Sequence, residues 1–356
     1  HQSLAEFVVL VFLKLGCPSD QAKSGAAVLI DADLKGIDSH GVARLPGYVR
    51  LWKKDRLNAA PNIRVVHETP STAVIDGDGG LGLVVAPEAM NLAIKKADAT
   101  GTGWVSVRNS NHFGIAGYHA LMAVDRDMVG ISMTNASPLV APTFSSERLL
   151  GTNPIAVAIP AGKQPPFVAD FATTTVANGK LEISKRKGQD IPLGWAQDAK
   201  GKPSTDASCV EQGGALMPLG GNREMGGHKG YCLGSIVDIF SAVFSGANYG
   251  PWVPPFVSFL EPSKNPVGKG IGHFLGAMRI DAFRPADEFK AEMDNWIERF
   301  RSANPSPGSK QVLVPGDPER MCLKDRMKNG IPLLPAVVNN LEALSREFEV
   351  KMPAEL

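Results

Sequence analysis

Apolar positions recur at helical spacing at both ends of the chain and in short β-branched runs between them. Ser3 to Leu15 reads as a first helix, with a turn at Gly16 to Pro18. Ser19 then serves as N-cap for Asp20 to Lys35, where Ala26, Leu29, Ile30 and Asp33 keep helical spacing and Gly36 ends the run. A third helix is expected within Val42 to Lys54, provided that Pro46 lies in its first turn. From Thr72 the period changes. Thr72 to Asp76, Trp104 to Asn109, Val129 to Thr134, Ile155 to Ile159, Phe167 to Phe171 and Phe274 to Ile280 are bounded by Gly, Pro or Asn and read as strands. Helices of crossover length, Ala86 to Ala99 and Ile115 to Arg126, fit between the first three. The strands between Thr134 and Phe171 are joined by segments without helical pattern, so the sheet should be mixed. Further helices are expected at Gly230 to Phe244, after Pro285 with a stripe of Phe289, Met293, Trp296, Ile297 and Phe300, and at Ala336 to Phe348.

Composition narrows the class. The 356 residues are 44% hydrophobic, enough for a large core without disulfides or metal. Lys and Arg number 37 against 36 Asp and Glu, so nothing marks a nucleic-acid or anionic-membrane partner, although a local anion site stays open. The apolar run Phe7 to Leu13 is far shorter than the ~20 residues of a membrane span and lacks the flanks of a signal peptide. Because the chain opens on His1, targeting is not settled. The cysteines Cys17, Cys209, Cys232 and Cys322 are dispersed and form no C-x-x-C pair, which points to a reducing, cytoplasmic setting.

Two glycine clusters imitate nucleotide motifs. Gly77, Gly79 and Gly82 fit G-x-G-x-x-G, but the next strand ends on Arg108-Asn109, where a dinucleotide fold wants a carboxylate. Arg108 facing a 2′-phosphate keeps that reading open, yet a packing turn is favoured. GGNREMGGHKG fails the Walker pattern; its glycines and Lys229 at a helix start still suit a pyrophosphate or carboxylate, and a plain connector fits as well.

The segment GIDSHGVARLPGY, Gly36 to Tyr48, is more informative. Arg44 and Tyr48 share a helix face if the helix begins near Val42, and Ser39 and His40 precede it. Arginine supplies a planar fork for a carboxylate, while His and Tyr can bond a hydroxyl or carbonyl oxygen. SNHFG, Ser110 to Gly114, places His112 in a loop after a strand, where a side chain suited to proton transfer near neutral pH can reach a ligand. The seven histidines form no H-E-x-x-H and no other metal spacing, and no G-x-S-x-G elbow is present.

The ordered set GIDSHGVARLPGY, SNHFG, TNASP, GTNPIAVAIP, DFATT, IPLGWAQD, GGHKGYCL and GHFLGAMRID resembles the type II malate/L-lactate/L-sulfolactate dehydrogenase family from about residue 4 to residue 345. The resemblance implies a non-Rossmann α/β fold: a discontinuous helical domain, 1–70 and 283–356, around a central cofactor-binding domain, 71–282. It implies a homodimer that interconverts a 2-hydroxy acid and its 2-keto acid with NAD or NADP, NAD slightly preferred, and malate as the first substrate choice ahead of lactate or sulfolactate. Cyclic imino acid, diketogulonate-type and ureidoglycolate oxidoreductases are the alternatives inside the family, and a non-catalytic nucleotide-binding protein is the alternative outside it. By the same resemblance His112 is the general acid/base and His40 a second proton donor, while Ser39, Arg44 and Tyr48 face the substrate. Ser137, Asp170, Phe171, Ala172, Lys229, Gly316 and Asp317 face the cofactor. Ala136 stands where members carry Ser, and Asp317 where they carry Glu.

Overall fold

The computed structural model describes residues 1–353. Helices α1 (Gln2–Lys14), α2 (Ser19–Leu34) and α3 (Leu45–Lys53) open the chain. Strands β1 (Arg64–Glu68) and β2 (Thr72–Gly80), α4 (Gly82–Thr100), β3 (Thr102–Ser110), α5 (Ala116–Val124) and β4 (Met128–Thr134) follow. Next come β5 (Ile155–Ile159), β6 (Phe167–Phe171), α6 (Asn178–Lys187) and the short strands β7 (Ala196–Gln197), β8 (Pro203–Ser204) and β9 (Ala215–Leu216). The chain then runs through α7 (Gly227–Asp238), β10 (Ile271–Arg279), α8 (Ala286–Arg301), α9 (Asp317–Asn329) and α10 (Pro335–Phe348).

The seven-stranded sheet has the order β1-β2-β3-β10-β4-β5-β6. Only the β2–β3 neighbours run parallel; β10 enters between β3 and β4 antiparallel to both. The sheet is therefore mixed, as the helix-poor middle of the sequence required, and it is not a doubly wound parallel sheet. α4 packs Val85, Ala89, Met90, Ala93 and Ala97 on Ile75, Val105, Val107, Leu275 and Ala277. A second core joins α1, α2 and α3 with Leu341, Leu344 and Val350 at the C-terminal end.

The first glycine cluster belongs to this packing. DGDGG continues β2 instead of forming a phosphate loop, and a Cβ on Gly82 would lie 2.1 Å from the Asn111 carbonyl oxygen. The missing side chain lets α4 start against the backbone that carries His112. Arg108, the one cation that kept a 2′-phosphate reading open, instead bonds the buried Asp76 carboxylate at 3.1 Å.

Elsewhere the pattern misleads for physical reasons. α8 carries its expected stripe, but only Ile297 is buried; Trp296 and Phe300 stack on each other at 4.0 Å on the outside. α9 has no apolar stripe, since its buried residues are Asp317 and Arg326, and periodicity could not reveal it. No helix among the described residues is long and apolar enough to cross a membrane.

Candidate active site

Two irregular segments meet beneath α3. The first is a pair of 3₁₀ turns, Asp38–His40 and Val42–Arg44, leading into α3. The α-helix thus begins three residues later than the earliest start the sequence allows, and Arg44 becomes its N-cap residue, with Nε donating to the Ser39 carbonyl at 2.5 Å. The second is the loop after β3, Asn111 to Ile115.

Between them the rings converge. His40 stacks on His112 with centroids 5.6 Å apart and planes at 21°. The fully buried Tyr48 places its hydroxyl 2.7 Å from His112 Nδ1, and Ser39 Oγ lies 2.9 Å from His40 Nδ1. The five residues expected at the substrate, Ser39, His40, Arg44, Tyr48 and His112, form one cluster.

A sixth member was missed. Phe256 stacks on His112 at 4.5 Å and lies 5.1 Å from Tyr48, closing the apolar side of the cluster. It approaches α3 where Gly47 has no side chain; a Cβ there would lie 2.5 Å from the Phe256 ring. Its backbone N–H donates to Ser137 Oγ at 2.9 Å, so the hydroxyl expected at the cofactor also fixes this ring. Arg50 lies over the same ring at 5.9 Å and bonds the Phe256 carbonyl. The hint in the sequence was the Pro/Gly-rich stretch from Gly250 to Gly272, a long excursion between two regular elements.

Desolvation dominates the electrostatics. It holds His112 well below its ordinary pKa, reinforced by His40, Arg44 and His273, and lowers His40 to about 4, with Arg44 adding to the effect. Both imidazoles are neutral at pH 7. Burial raises the Tyr48 phenol, which keeps its proton.

The supports differ. Behind His112, Asn111 donates its amide to the Gly79 and Gly80 carbonyls at 2.8 and 3.1 Å. Buried His273 on β10 bridges Ser110 Oγ and Thr134 Oγ1, each at 2.7 Å. Phe113 stacks on His273 at 4.8 Å. Behind His40, the buried Asp33 carboxylate accepts the Val42 N–H at 2.8 Å and is raised to about 7, chiefly by burial.

Apart from Ser137, the residues expected at the cofactor fall in three places. Asp170, at the end of β6, and Gly316 line a cavity of about 280 Å³ with Lys35, Ile37, Gly117 and Glu319. Asp170 accepts the Gly117 N–H at 2.7 Å and is raised to about 6 by burial. Phe171 and Ala172 continue from it toward Thr173, against which α7 packs through Gly234. Exposed Lys229 sits in the first turn of α7, where Gly227 passes so close to Gly221 that a Cβ would lie 1.8 Å from its carbonyl oxygen. Asp317 is set apart: its carboxylate is held by Arg301 and Arg320, both at 2.6 Å, and by the Val314 N–H, which together depress its pKa. Among the described residues no cluster suits a metal ion.

A neutral histidine pair beside an arginine and a phenol is a site that can move a proton on a bound acid. Residues 1–342 match the family model described as malate/L-lactate dehydrogenase. The chain is 46% identical to the malate dehydrogenase of Pyrococcus abyssi, over 98% of this chain and 94% of that one. It is 40% identical to the L-sulfolactate dehydrogenase of Methanocaldococcus jannaschii, over 96% and 95%. The solved malate dehydrogenase of Pyrococcus horikoshii OT3 superposes with a TM-score of 0.88 at 43% identity, covering 98% of this chain and 94% of that one. The protein belongs to the malate/L-lactate dehydrogenase family and is a dehydrogenase of 2-hydroxy acids that works with a nicotinamide coenzyme.

Proposed function

We propose that the enzyme interconverts malate and oxaloacetate with NAD, using His112 as the proton-transferring group. The observation that carries the choice of a dianionic acid is the second guanidinium beside the cluster. Arg44 is positioned by Ser39, and Arg50 lies over Phe256, on which His112 also stacks. Burial, and then the charge of Arg44, lower the pKa of Arg50. Two cations this close are relieved by a ligand with two anionic groups, which malate has and lactate lacks.

In this reading Arg44 holds the C1 carboxylate and Arg50 the second acid group. The bound coenzyme supplies the hydride acceptor. With Nδ1–H donating to the Tyr48 hydroxyl oxygen 2.7 Å away, the neutral His112 ring has a free Nε2 to take the proton of the 2-hydroxyl. A substrate carboxylate on Arg44 offsets one of the charges that disfavour protonated His112, so binding itself makes the ring a better base. Phe256 and Tyr48 keep water from the apolar side, and Ser39 sets the orientation of His40.

The donor set of the 280 Å³ cavity fits the coenzyme and favours NAD. Its cations are already engaged, Lys35 with Asp31 and Arg320 with Asp317, both at 2.6 Å. Asp170 and Glu319 add carboxylates that accept from ribose hydroxyls and repel a 2′-phosphate. Lys229 at the start of α7 is assigned to the coenzyme's pyrophosphate. We further assign a homodimer, supported by the exposed Ile236, Ile239, Val243 and Phe244 along α7 and its continuation; sedimentation equilibrium tests it.

Initial rates with malate, lactate, sulfolactate and their keto acids, each against both coenzymes, test the reading. Malate with NAD should give the highest kcat/KM. Equal rates with lactate would remove the role of Arg50, and a preference for NADP would remove the charge argument.

A further inference from the structure

We propose that Arg326, far from the reacting groups in sequence and outside the cluster itself, is a positioning residue for His40. The inference rests on the reading of His40 as part of the reacting cluster. α9 runs from the coenzyme cavity to the turn that carries Ser39 and His40. Its first turns contribute Glu319, Arg320 and Leu323 to the cavity wall. Its last turn carries Arg326, 9% exposed, whose guanidinium donates to the Asp33 carbonyl and forks onto Asp38, the second arm at 3.2 Å.

Between these ends α9 rests directly on the turn. Gly36 has φ +79°, and a Cβ there would lie 2.7 Å from Cys322 Sγ. Ile37 and Leu323 face the same cavity. The segment 35–40 and α9 thus form one wall, with the fork onto Asp38 as its final fastening one residue before Ser39. A planar guanidinium sets the direction of a carboxylate as well as its distance, which a lysine at this place would not do. Released from it, the 3₁₀ turn keeps the His40 N–H bond to the Ile37 carbonyl and the Arg44 bond to the Ser39 carbonyl but loses its fork to α9, and with it the fixed stacking of His40 on His112.

The test uses Arg326→Gln, Arg326→Lys and the half-exposed Asp38→Asn, the last as the variant least exposed to a folding defect. Arg326→Gln and Asp38→Asn should lower kcat/KM about 10- to 100-fold, the scale of a misplaced reacting group, and Arg326→Lys should restore part of it. Combined with His40→Ala, neither should lower kcat/KM much further, because the group they position is already gone. Amide exchange of Ile37 and His40 should quicken in both variants while α1 and α10 stay protected. Full additivity with His40→Ala, or unchanged exchange at Ile37 and His40, overturns the proposal. The exchange arm is independent of turnover, so an enzyme inactive on every acid tested would count against the proposed substrate and leave the positioning claim to the exchange result.

Discussion

The two histidine-bearing segments are held in place by opposite chemistry. The His112 loop is fastened to the sheet by neutral groups: an asparagine amide, a histidine bridging two hydroxyls, and stacked rings. The His40 turn is fastened by a buried carboxyl and a guanidinium–carboxylate fork. Neutral networks are indifferent to salt and fail in acid, whereas charged ones respond to ionic strength and to the titration of their carboxyls. The group assigned the proton transfer thus sits on the support with fewer charges, and its partner sits on the adjustable one.

The comparison can be broken most directly at His112. His112→Ala should lower kcat by ~10²–10⁴ while coenzyme affinity, read by fluorescence titration, stays within about threefold. His40→Ala should cost less, and equal losses would erase the distinction between the two rings. Next in size is Arg44→Ala: losing a charge-assisted bond worth ~1.5–3 kcal/mol should raise KM for the acid by roughly 10- to 100-fold with a smaller change in kcat. A normal KM for every keto acid would remove Arg44 from the substrate.

The supports themselves should show opposite pH slopes. His273 is held near 3 in the fold against 6.5 ordinarily, chiefly by burial. Its contribution is complete above about pH 6.5 and is lost as pH falls toward 3. Asp33 is raised from 3.8 to about 7, so its contribution is complete below about pH 3.8 and is lost as pH rises through 7. In Tm measured between about pH 3 and 7, His273→Gln should remove a component that rises with pH and Asp33→Asn one that falls with pH. Identical curves would mean that neither group governs its segment. The smallest effect is expected from Ser137→Ala, which leaves the Phe256 N–H without its acceptor. A loss of ~1–3 kcal/mol at that amide should appear as a few degrees in Tm and a several-fold rise in KM.

How far the sequence revealed this contrast follows from the kind of signal each residue leaves. The strands of the core and α10 were legible because burial on one face imposes a period. Ile155–Ile159 and Phe167–Phe171 occupy the expected bounds, and the sheet is mixed as anticipated. Ser39, His40, Arg44, Tyr48 and His112 were legible because glycines and polar groups crowd into short segments. Arg326 and Asp33 were not, since one lies on a helix with no apolar stripe and the other passes for a core-facing position of α2. Phe256 was hidden in a loop, where an aromatic ring has no periodic neighbours to mark it. The Asp317 position shows the reverse limit: a motif places it, but only the fold reveals that two arginines already hold its carboxylate.

The central place of β10 has a consequence for how the molecule is made. The strand that fills the gap between β3 and β4 is translated after 136 residues of intervening chain, yet it carries His273, the bridge behind the His112 loop. Until Arg279 has left the ribosome, β3 and β4 each present an open edge, and the loop after β3 lacks its inner prop. Pairings this distant in sequence close slowly, and unpaired edges are where nascent chains stick to one another. Synthesis therefore has a vulnerable interval that ends with a single late strand, and the same event that seals the sheet sets His112 in place.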